Sequence, residues 1–76
     1  MGGYTQVQPT RVELNQFSTH LRQLKEEEFV DTFIGAMMST QGIVLLFFSH
    51  RLNRDFSIIV SSTETSKVIQ EIGDIL

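Results

Sequence analysis

Six apolar residues stand together without a polar break: Ile43, Val44, Leu45, Leu46, Phe47 and Phe48. A run of this length, rich in β-branched and aromatic side chains and entered through Gly42, reads as a β-strand buried on both faces. Such a strand needs apolar cover above and below. It also needs a partner along each edge, because a bare edge is a template for another chain. The chain that must meet these needs has 76 residues and no cysteine. Disulfides, thiolate metal sites and thiol catalysis are therefore excluded. Burial in a monomer of this size contributes on the order of 120 kcal/mol and ordering it costs on the order of 115 kcal/mol, so the solitary domain is marginal. Self-association is the expected remedy, as a homodimer or larger, with an apolar contact that includes part of residues 29–48.

The neighbouring segments organise around that strand. Residues 1–9 read as a flexible N-terminal segment, and residues 10–76 as a single α+β domain. Thr10 and Glu13 have the spacing of a capping box, and Leu14, Phe17, Leu21 and Leu24 then mark one face of a helix over 11–26. After the strand, residues 50–55 are polar apart from Leu52, and Asn53 is a good turn residue. Phe56, Ser57, Ile58, Ile59 and Val60 form a second strand, making an antiparallel hairpin over 43–61. Hydroxyl residues around Glu64 precede a final helix whose stripe is Val68, Ile69, Ile72, Ile75 and Leu76.

The element at about 29–39 stays open between helix and strand. Phe29 and Val30, Phe33 and Ile34, and Met37 and Met38 recur in pairs every four residues, which leans towards a helix. The edge requirement of 43–48 pulls the other way: residues 30–38 as a strand, turning at 39–42, would cover one bare edge. Met37 and Met38 read as core filling, with an adaptable binding surface as their other use.

Six Lys and Arg against nine Asp and Glu give a net charge of −3. That balance argues against non-specific nucleic-acid binding, which needs a basic field to release counterions from phosphates. Residues 33–48 are apolar but broken by Ser39, Thr40 and Gln41, and fall short of the ~20 residues that span a bilayer. Met1 is followed by Gly2, Gly3 and Tyr4, without the basic start and apolar run of a secretory signal, so no membrane and a cytoplasmic location are expected.

Nothing in the chain assembles a catalytic constellation. His20 and His50 are the only histidines, and neither has a metal-ligand spacing. Ser49 and His50 are adjacent, but no nucleophile-elbow motif is present. The glycines form no phosphate-cradling loop. The expectation is no enzyme, no cofactor and no metal. Two features remain as candidates for partner binding. Arg51, Leu52 and Arg54 place a hydrophobe between arginines at the hairpin tip, the make-up of an interface anchor. Glu26, Glu27 and Glu28 form the densest charge run, a solvated face or a contact for a basic patch.

With 30–38 as a strand, the order over residues 11–76 becomes helix, three-stranded antiparallel meander, helix. That order resembles the double-stranded-RNA-binding domain and the Alu-binding subunits of the signal recognition particle. The resemblance implies a nucleic-acid-binding module, with Arg11, Arg22, Arg51 and Arg54 available. The first of these families places a lysine cluster at the start of its last helix. Here that stretch is Ser62, Thr63, Glu64, Thr65, Ser66 and Lys67, and the phosphate clamp does not carry over. The main reading is a small non-enzymatic protein-interaction or regulatory module that self-associates and binds a protein partner.

Overall fold

The computed structural model describes residues 5–61 and 63–76, with side chains described from Arg11 onward. Its elements run β1 (Thr5–Val12), α1 (Leu14–Glu26), β2 (Thr32–Ser39), β3 (Gly42–Ser49), β4 (Arg54–Val60) and α2 (Thr65–Ile75). The chain is a small α+β domain with one four-stranded sheet in the order β1-β4-β3-β2. The hairpin expected over 43–61 is β3–β4, in antiparallel register from Ile43↔Val60 to Ser49↔Arg54. Asn53 closes it in the left-handed region (φ 54°), which Asn tolerates better than most residues.

The open question at 29–39 resolves as a strand. β2 pairs antiparallel with β3 through the two-residue turn Thr40 and Gln41. The need for an edge partner outweighs the four-residue periodicity, which leaned towards a helix. A register shift between Phe33 and Gly35 explains why the period failed: the extra residue, Ile34, shifts the alternation of faces part-way along the strand. Gly42 is fixed by its backbone (φ 135°) and by the Val60 carbonyl, which lies where a Cβ would stand.

The start of the chain departs from expectation. Residues 1–4 of the lead-in, and Ser62 of the hydroxyl-rich segment, lie outside the described residues. Residues 5–9, read as flexible, belong to β1, which runs parallel to β4, so the domain reaches back to Thr5. Thr10 is therefore in a strand, not at the start of a helix. Helix α1 starts at Leu14, with Glu13 in the N-cap position and no side-chain cap hydrogen bond. The chain is turned at Val12, whose carbonyl accepts from both the N–H and the hydroxyl of Ser61 beyond the end of β4.

Both helices pack on one face of the sheet. Phe17, Leu21 and Leu24 of α1 and Val68, Ile72 and Ile75 of α2 join Ile43, Leu45, Phe47, Phe56, Ile58 and Val60 in one core. Lys25 ties the helices together by donating to the carbonyl of Ile75 at 2.6 Å, near the end of α2. The smallest dimension is 17 Å, the thickness of one helix layer on one sheet. Among the described residues, the cover expected on both faces of β3 is present as a second layer on one face only. Val44, Leu46 and Phe48 point to the open face together with Ile59. Leu46 and Ile59 are only 9% exposed there, although neither joins the cluster beneath the helices. Arg11 lies opposite Ile59, and its Nε donates to the carbonyl of Gln41 at 2.8 Å, so its stem reaches over the open face. Among the described residues no helix is long and apolar enough to cross a membrane.

Candidate interaction surfaces

The first surface is a charged corner where the α1–β2 loop meets the β3–β4 turn. Helix α1 ends with Glu28 in the left-handed region (φ 64°), a position where Gly is the usual residue. Three contacts hold it. The Phe29 N–H donates back to the Leu24 carbonyl at 2.8 Å, Ser49 Oγ donates to the Glu28 carbonyl at 2.8 Å, and Arg51 Nε meets Glu28 Oε1 at 2.6 Å. Ser49 is fully buried and also accepts from the Leu52 N–H at 3.1 Å, so one hydroxyl clamps the helix end and the tip together.

This geometry brings part of the expected site together and revises the rest. Arg51 and Glu28 form an exposed ion pair, so the two candidate groups are one cluster. Leu52 is half-buried and packs against the core. It is not the exposed anchor that its polar neighbours suggested, because Ser49 draws the turn inward. Arg54 begins β4 with its guanidinium 5.7 Å from the centre of the Phe56 ring, which itself stacks on Phe29. Glu26 and Glu27 are exposed at the end of α1, where Gln23 donates to Glu27 at 3.4 Å. The four arginines do not share a face: Arg11 belongs to the open side of the sheet and Arg22 to an exposed position on the helix layer.

The Asp31–His50 pair beside this corner carries no sequence signal. Asp31 Oδ1 accepts from His50 Nδ1 at 2.7 Å and from the Thr32 hydroxyl at 2.8 Å, while Oδ2 accepts from the His50 N–H at 2.8 Å. The His50 side chain, above all, holds the Asp31 carboxyl below its ordinary range, against the opposing effect of desolvation and with help from the His50 N–H and Thr32. The imidazole also sits edge-on to Phe48, with ring centres 5.0 Å apart. Among the described residues no group of three or more His, Asp or Glu could hold a metal ion.

The second surface is β2. None of its eight residues is buried. The large apolar residues that stay exposed among those described are Phe29, Ile34, Met37, Met38 and Ile69, and three of these five lie on β2. Met37 and Met38 are 54% and 66% exposed, which overturns their reading as core filling. The strand is attached by its ladder to β3 and by the half-buried Phe33, whose ring tilts against Phe47 at 5.5 Å. No signal in the residues alone separated exposed from buried methionine.

No family model, no curated protein and no solved structure matches the chain.

Proposed function

We propose that this chain is a non-enzymatic protein-interaction or regulatory module of the cytoplasm that self-associates and binds a protein partner. The observation that carries the reading is the clustering of exposed apolar side chains on an uncharged edge strand. Single exposed hydrophobes are ordinary, whereas Ile34, Met37 and Met38 gather on eight residues without a charge and make both sides of one sheet edge apolar, which suits a contact. The charged corner is of the opposite kind. Glu26, Glu27, Arg51 and Arg54 are exposed there, which suits the polar, salt-sensitive recognition of a second protein.

Sedimentation equilibrium at low micromolar concentration tests self-association. A dimer or larger species is expected, and a stable, cooperatively folded monomer overturns the reading. For the corner, the double change Arg51→Glu with Arg54→Glu is expected to leave the fold intact, because exposed ion pairs such as Arg51–Glu28 contribute only about 0.2–1 kcal/mol. Binding to a partner identified by native-complex mass spectrometry should weaken mainly through a slower, salt-dependent on-rate. Unchanged binding places the partner contact elsewhere.

A further inference from the structure

We infer that the free edge of β2 pairs antiparallel with β2 of a second copy, about a two-fold axis at Met37. The inference rests on the self-association reading above and names the surface and the geometry it uses.

Among the described residues, the strand order leaves β2 with β3 on one side and no strand on the other. Edge strands are usually blunted by charge, proline, bulges or brevity. β2 has one such device, the bulge at Ile34, confined to its first half. From Gly35 to Ser39 the register with β3 is regular, and these residues include no charge and no proline. In an antiparallel ladder the pairs alternate, and the tight turn pairs Ser39 with Gly42. Met37 and Gly35 therefore face their main-chain groups to β3, and Ala36 and Met38 turn theirs to the free edge.

Self-pairing about Met37 matches this pattern residue by residue. Ala36 lies opposite Met38 of the second copy, and Met38 opposite its Ala36. These are the residues with free main-chain groups, and each large side chain meets a small one. On the other face Met37 meets its own copy, flanked by Gly35 and Ser39, which leave room for two flexible thioethers. An axis at Ala36 draws the bulged Ile34 into the ladder, and an axis at Met38 runs it into the turn at Thr40 and Gln41. Only the axis at Met37 uses all of the regular stretch. Charge agrees with the pairing. Two copies of a chain of net charge −3 repel in general, yet this strip carries none. The antiparallel arrangement also brings the Asp31 end of one strand towards the Gln41 turn of the other, where the Arg11 guanidinium is held, so acid approaches base at both ends.

Single-cysteine variants test the inference cleanly, since the chain has no cysteine of its own. Met37→Cys is expected to give a disulfide-linked dimer under mild oxidation, with Ile69→Cys, exposed on α2, as the slow control. Met37→Lys is expected to weaken dimerisation by about a hundredfold or more while the secondary structure seen by circular dichroism is kept, because it sets like charges face to face on the axis. If the wild-type chain dimerises while Met37→Lys does so equally well and cysteine at 37 links no faster than at 69, the β2 pairing is wrong and self-association stands. If the wild-type chain is monomeric, the self-association reading itself fails.

Discussion

The two outer strands of the sheet are equal in length, eight residues each, and each borders a single neighbour. β1 carries Pro9, which has no N–H to offer. Its parallel ladder with β4 slips twice, between Gln6 and Gln8 and between Gln8 and Arg11, and Arg11, one residue before its end, is bound to the Gln41 carbonyl. β2 has one bulge and then a regular, uncharged stretch with exposed methionines. Edge protection is thus written in local residues and does not follow from position in the sheet. The strand that lacks it also contributes no buried residue to the core.

Four substitutions, the last read across pH, can break or sharpen this contrast. The largest effect is expected at Phe47, which is fully buried and stands between Phe33 of β2 and Phe56 of β4. Phe47→Ala should cost about 3–5 kcal/mol in urea unfolding and weaken both sides of the sheet together. Phe33→Ala should cost about 2 kcal/mol, since that ring is half-buried and its contact with Phe47 is the main side-chain attachment of β2. Hydrogen exchange should then accelerate in β2 and leave β1 and β4 protected; equal acceleration on both sides contradicts the separate anchoring of the two edges. Glu28→Gly should stabilise by about 0.5 kcal/mol, because relief of the left-handed backbone outweighs the exposed pair with Arg51. A net loss there means that the corner contributes more than its geometry suggests.

The smallest effect concerns pH. Asp31, just before β2, has its carboxyl held below the ordinary value of 3.8 in the folded chain and returns to that value on unfolding. Its contribution is therefore complete above the unfolded value and is lost as pH falls through the folded one. The Asp31 side chain is more than a third exposed, so solvent screening keeps the term small. Asp31→Asn should flatten the acid limb of stability measured below pH ~4. An unchanged limb places the acid sensitivity at another carboxylate.

What was legible in the residues follows the range of the interactions involved. The β3–β4 hairpin and the two helical stripes rest on local periodicity and turn chemistry, and Phe17, Leu21, Val68 and Ile72 lie where their spacing put them. β2 was readable only through the unmet edge of β3, because the bulge at Ile34 broke its alternation. β1 was not readable at all. Its hold on β4 comes from residues some fifty positions away, and the Thr10–Glu13 spacing imitated a cap. At the charged corner, the ion pair of Glu28 with Arg51 joined two features that composition had kept apart. The position of Leu52 depends on a buried serine hydroxyl, which no pattern of hydrophobicity records.

In the language of polymer chemistry, a sheet has a functionality equal to the number of edges at which it can grow. A unit with two reactive ends makes chains, and a unit with one stops at the pair. Under the proposed β2 pairing, the missing N–H at Pro9 and the slipped ladder beside it act as a chain stopper, leaving a unit of functionality one. Closed association with a fixed end point then needs no further device on β2 itself. The same reasoning marks residue 9 as the place where a single substitution, by restoring an N–H to the outer strand, would turn the proposed self-limiting pair into an open-ended assembly.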